Sequence, residues 1–154
     1  MDALRKYFSE LLATFFYTGY SPKAPGTVGS LAALPFAWFL WQFPSIISWS
    51  IFLSFLLLAI WASHEIVKRS GVADNQCIVI DEVLGIFLTT SIAANHWLAF
   101  GAAFIFFRIF DIWKPGPIRW VDNNIKGGLG VVLDDLVAAL LALLCLALMQ
   151  YFII

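Results

Sequence analysis

Two acidic doublets, Asp81-Glu82 and Asp134-Asp135, each stand immediately before a long uncharged run. Carboxylates at a helix start cap free N–H groups and offset the helix dipole, for roughly 0.3–1 kcal/mol. That accounts for either doublet alone. Together with Asp111 they make five carboxylates, which repel one another when brought together unless a cation lies among them. Donors that are all oxygen suit Mg²⁺, which keeps several waters and commonly bridges to phosphate. Zinc fits poorly, because His64, Cys77 and Cys145 show no ligand spacing.

Four cations, Arg108, Lys114, Arg119 and Lys126, fall within 19 residues of the same region. Arg108 and Asp111 lie on one helix face and could be a simple ion pair. An arginine inside or at the edge of a bilayer costs roughly 2.5–3.5 kcal/mol at mid-depth, which calls for a functional reason. Its fork suits phosphate. Lys114 precedes Pro115-Gly116-Pro117, which ends the helix and holds the ammonium near the interface. The alternative for these cations is topology setting and contact with anionic lipid heads, the preferred reading for Arg119 beside Trp120. A third segment, Ser21 to Ser30 (SPKAPGTVGS), forces irregular backbone and leads into an apolar helix. Thr27, Gly29 and Ser30 there offer N–H and hydroxyl groups to an anion, or else form a capped turn. No Gly-Lys-Ser/Thr follows, so it is not a Walker loop. Gly127-Gly128-Leu129-Gly130 allows close approach of a ligand to backbone, or acts as a flexible linker.

Metal-binding acids interleaved with cations suggest chemistry on phosphate. Spacing excludes several phosphatase designs: Val83 and Tyr151 stand where a Cys-x5-Arg loop needs arginine, and there is no Asp-x-Asp and no Arg-Pro. His96 and His64 give a serine nucleophile no partner.

The elements that must position these residues follow from composition. The 154 residues are 62% hydrophobic and 12% charged, with a net charge of −1. A soluble domain carries roughly a quarter charged residues, so the chain is expected to be a membrane protein of one domain over 1–154, and all-α because no β-alternation persists anywhere. Nucleic acid is not an expected partner, since no basic surface is available.

All 19 charged residues fall in three blocks, Asp2 to Lys23, Glu65 to Glu82 and Arg108 to Asp135. The uncharged stretches Leu31–Ser63, Val83–Phe107 and Leu136–Ile154 separate or follow them. A transmembrane helix needs about 20 apolar residues. The first stretch breaks at Pro44-Ser45 into a helical hairpin, and the last makes one span. The middle one is a single tilted span or a hairpin turning at Asn95-His96. The hairpin is favoured, because it puts every Lys and Arg on one face, which short cationic loops make the cytoplasmic one. Four of the five apolar helices are then short, about 12 to 17 residues, and need not cross fully. Leu4, Tyr7, Phe8, Leu11, Leu12, Phe15 and Phe16 form a helical stripe, suited to the interface or to packing on the bundle. Glu10 interrupts it, so no signal peptide is expected.

Three motifs resemble the phosphatidylglycerophosphatase A family, in order and in spacing: Gly19 to Ala33 (GYSPKAPGTVGSLAA), Ile78 to Gly85 (IVIDEVLG), and Phe107 to Trp120 (FRIFDIWKPGPIRW) continuing through Gly127 to Gly130 and Asp134 to Ala138 (DDLVA). The resemblance implies an all-α, multi-pass enzyme of the bacterial inner membrane. It would remove the terminal phosphate of phosphatidylglycerophosphate, with Mg²⁺, to give phosphatidylglycerol, the precursor of cardiolipin. The acidic motif residues are Asp81, Glu82, Asp111, Asp134 and Asp135, and the basic ones Arg108 and Lys114.

On that reading Asp81, Glu82, Asp134 and Asp135 hold Mg²⁺, and Arg108, Lys114, Thr27 and Ser30 bind the substrate phosphate. Asp111, Asp134 and Asp81 stand at the chemistry. Asp111 orients water, assists its deprotonation or positions Arg108, and an aspartyl-phosphate intermediate stays open. Membrane lipids are the other expected partners. Two alternatives of different class are a small cation transporter or channel using the acidic pairs as an ion site, and a structural lipid-binding protein.

Overall fold

The computed structural model describes residues 2–72, 75–93 and 96–153. Asp74 of the second charged block and Asn95 of the expected turn lie outside the described residues. Seven α-helices make up the described fold: α1 Asp2–Ala13, α2 Pro25–Leu40, α3 Ser45–Ser70, α4 Ile80–Thr90, α5 Trp97–Trp113, α6 Gly116–Asn124 and α7 Gly127–Ile153.

The amphipathic stripe ends sooner than its periodicity suggests. Thr14 Oγ1 donates to the Glu10 carbonyl and accepts from the Tyr17 N–H, and Gly19 N–H returns to the Thr14 carbonyl. That closes a turn in which Phe15, Phe16 and Tyr17 all have positive φ, a conformation bulky residues rarely adopt. Edge-on packing of Phe15 against Phe16 and Phe36, each with centroids 5.3 Å apart, compensates. α1 lies on α3 through buried Ser9 and Ala13, with Arg5 on Glu65 at 2.7 Å and Arg69 on Ser9 at 3.0 Å. Leu4, Tyr7 and Phe8 remain exposed, so the helix both packs on the bundle and keeps an apolar outer face.

Pro44 separates α2 from α3 where the sequence predicts a hairpin, and Ser48 Oγ ties the connection by donating to the Leu40 carbonyl at 2.8 Å. α3 is longer than its uncharged stretch, because Glu65, Lys68 and Arg69 continue the helix. α3 and α7 are long and apolar enough to cross a membrane.

The middle stretch is the predicted hairpin. α4 has 11 residues, a length of roughly 16 Å, about half a bilayer core. It is nearly all buried, encased by α2, α3, α5 and α7. A helix that ends inside apolar surroundings must satisfy its last carbonyls within the protein. Trp41 Nε1 donates to the Phe87 carbonyl at 3.1 Å, and Gln150 Nε2 to the Ile92 carbonyl at 3.1 Å.

α6 was not apparent from the sequence. It begins at the glycine between Pro115 and Pro117, whose ring suits a first helical turn, and it buries only Ile118 and Val121. α7 begins at Gly127, well before the apolar run. Gly128 explains why: a Cβ there would collide with the α3 backbone at His64 and Ile60. Its role is close helix packing, so the segment is not the alternative flexible linker, while Gly127 and Gly130 line a cavity at this end of α7.

Candidate active site

The starts of α2, α4 and α7 and the end of α5 meet at one end of the bundle. They enclose a cavity of about 470 Å³ lined by all five motif carboxylates, with Arg108 and Lys114.

Asp81 and Glu82 lie in the first turn of α4. Asp81 Oδ1 accepts the Glu82 N–H at 3.0 Å, so the capping explanation holds for part of this doublet. It does not hold for Asp134-Asp135. Those residues sit two turns inside α7, where every N–H is committed to the helix, and a dipole explanation no longer reaches them. Both are 4% exposed.

One ligand oxygen each from Asp81, Glu82 and Asp135 lies within 4.8 Å of the others. Glu82 Oε2 and Asp135 Oδ2 are buried without a hydrogen-bond partner, as is Asp134 Oδ1. Buried carboxylate oxygens left unpaired are rare and costly. Three converging carboxylates, two of them with an orphaned oxygen, fit a hard divalent cation. Asp134 stands apart from this trio: its Oδ2 accepts from Lys114 Nζ at 2.6 Å. Of the four carboxylates expected from the sequence to act together, three are grouped and the fourth is engaged by a lysine.

Arg108 Nη1 pairs with Asp111 Oδ2 at 2.5 Å and stands 3.8 Å from Glu82 Oε1, while Nη2 donates to Thr27 Oγ1 at 3.3 Å. Its Nε is buried without a partner, so one guanidinium donor is uncommitted. Gly26 is what lets α2 come this close, because a Cβ there would land on Glu82 Oε1. Lys114 caps α5 with a left-handed φ of 46° and reaches Asp122 as well as Asp134. Burial acts to lower its pKa, but the hydrogen bond and charge of Asp134 outweigh this and hold it above the ordinary lysine value.

Thr27 therefore reaches the site through Arg108. Ser30 does not reach it: the side chain is fully buried and donates to the Gly26 carbonyl at 2.7 Å within α2. It satisfies its own helix, which removes the reason for expecting it to face an anion. Arg119 and Trp120 are exposed and do not line the cavity.

Sequence reasoning passed over three polar wall residues, Asn75, Gln76 and Asp122, and raised Lys126 only as one of four clustered cations. Asp122 had one legible signal, its place as the acid lying between the cations Lys114 and Lys126.

The arrangement offers a cation site beside a guanidinium and an ammonium, suited to a phosphoryl group. The chain matches the phosphatidylglycerophosphatase A family over residues 11–150. It is 42% identical to the Escherichia coli protein named phosphatidylglycerophosphatase A, covering 86% of this chain and 77% of that one. The Haemophilus influenzae protein of the same name is 37% identical over 94% of this chain and 90% of its own. A Bacteroides thetaiotaomicron protein, provisionally named a phosphatidylinositol-3-phosphatase, is 33% identical over 93% and 94%. No solved structure matches the chain.

Proposed function

The chain belongs to the phosphatidylglycerophosphatase A family, and from that premise we propose that it hydrolyses the terminal phosphomonoester of phosphatidylglycerophosphate with Mg²⁺ as cofactor. The product is phosphatidylglycerol, and residues 1–154 act as one domain. The observation that carries the reading is the grouping of Asp81, Glu82 and Asp135 beside Arg108 and Lys114. A transporter would not need that cationic wall, and the relatives are named as phosphatases, so the ion-transport alternative is dropped.

Asp81, Glu82 and Asp135 would hold Mg²⁺, with Asp134 beside them. The ion supplies Lewis-acid polarisation of the phosphoryl oxygens. Arg108 offers its free Nε–H and its Nη groups to two phosphoryl oxygens in a planar fork. Asp111, already bound to Arg108, holds that fork in orientation. Lys114 turns from Asp134 toward the phosphoryl group and neutralises charge that grows in the transition state. Asp134, released from the lysine, is the carboxylate placed to take a proton from attacking water. Thr27 steadies Arg108.

The enzyme sits in the bacterial inner membrane as a multi-pass protein with its active face in the cytoplasm. Support comes from the two span-length apolar helices and from Arg108, Lys114 and Lys126 of the third charged block gathered at the cavity. The acyl chains remain in the bilayer while the headgroup enters the cavity.

Phosphate release from phosphatidylglycerophosphate by purified protein in detergent, with Mg²⁺ and with EDTA, tests the reading. Release that requires Mg²⁺ is expected. Folded protein that releases nothing under either condition overturns it.

A further inference from the structure

The cavity carries more cationic chemistry than one phosphate group needs. Arg108 and Lys114 are both held among carboxylates. Lys126 also lines the cavity, yet it is exposed, and among the described residues its ammonium has no carboxylate within ion-pair distance. It donates instead to the backbone carbonyl of Asp122 at 2.9 Å. The side chain of the same Asp122 accepts from Lys114 Nζ at 3.2 Å. One residue therefore holds two ammonium groups side by side, one turned to the buried acids and one at the rim. Asn75 adds a donor to the same wall. Its Oδ1 accepts the Cys77 N–H at 3.2 Å, which leaves its NH₂ as the end available to a ligand. A rim that presents donors and an uncommitted cation attracts an anion.

Resting on the phosphatase reading above, we infer that Lys126 determines substrate specificity, by binding the phosphodiester of a headgroup whose terminal phosphomonoester lies at Arg108 and Lys114. Phosphatidylglycerophosphate carries two phosphate groups joined by one glycerol, and the two ammonium groups are joined by one residue. A lysine, a mobile point charge, suits a diester that bears a single negative charge and asks for no bidentate partner.

The test compares two competitive inhibitors of phosphatidylglycerophosphate hydrolysis in detergent: the deacylated headgroup glycerophosphoglycerophosphate, with both phosphates, and glycerol 3-phosphate, with one. The wild-type protein is expected to bind the two-phosphate ligand about fivefold more tightly, the worth of one exposed charge pair. Lys126→Ala removes that advantage, and Lys126→Arg keeps most of it. An advantage that survives Lys126→Ala, or that the wild type never shows, overturns the inference while leaving the phosphatase reading intact. A wild-type protein that releases no phosphate from the lipid overturns both.

Discussion

Each carboxylate at the site has a distinct neighbour, and the neighbours separate their roles. Asp135 belongs to the grouped oxygens with Asp81 and Glu82, whereas Asp134 is engaged by Lys114. Asp135→Asn should therefore weaken Mn²⁺ binding, read by electron paramagnetic resonance, and lower phosphate release by at least ~100-fold. Asp134→Asn should abolish release as well but retain most of the Mn²⁺ signal. Equal loss of Mn²⁺ in both variants would merge the two roles. Arg108→Lys keeps the charge but loses the fork, and a fall in kcat of about 100-fold is expected from steady-state kinetics. Asp122→Asn should act through Lys114, lowering kcat more than it raises KM, because once the ammonium turns from Asp134 to the phosphoryl group Asp122 is the carboxylate left to position it.

The helices succeed in making this site because α4 is short and nearly all buried. Its first turn delivers Asp81 and Glu82 to the cavity, and its last turn ends at depth, where Trp41 and Gln150 complete the backbone hydrogen bonding. Trp41→Phe removes that donor from the Phe87 carbonyl and Thr90 hydroxyl, which still bond to each other at 3.2 Å, so the cost is about 0.5–1.5 kcal/mol. The melting temperature in detergent should fall, with Mg²⁺-dependent turnover retained at low temperature. Gly128→Val should be more damaging, because the added side chain meets α3 backbone and not a side chain that can move. Much of this layer is legible in the sequence. Pro44 marks one hairpin, and the gathering of Lys and Arg marks the other. α6 escapes because nine residues with two buried apolar side chains leave too weak a periodicity.

For the whole molecule, the cavity end is one charged face of an otherwise apolar bundle. A cysteine at exposed Asn123, in a background lacking Cys77 and Cys145, should react with a membrane-impermeant maleimide in inverted vesicles and not in intact spheroplasts. Labelling in spheroplasts would reverse the proposed orientation. α1 fits the same geometry, since Arg5 and Arg69 fasten it to α3 and its exposed Leu4, Tyr7 and Phe8 are suited to the interface.

The sequence by itself determined the all-α class, the apolar helices and their breaks, and the family. Each depends on local properties: the length of an uncharged run, a proline at its break, and motifs continuous along the chain. The tertiary structure alone decided which carboxylates meet. Asp134 and Asp135 are neighbours in sequence, but successive residues on a helix point about 100° apart, so packing of α7 against α4 and α5 turns one toward Asp81 and Glu82 and the other toward Lys114. It also turned Ser30 into its own helix and brought Asp122 and Lys126 to the wall, because direction around a helix axis is set by what the helix packs against.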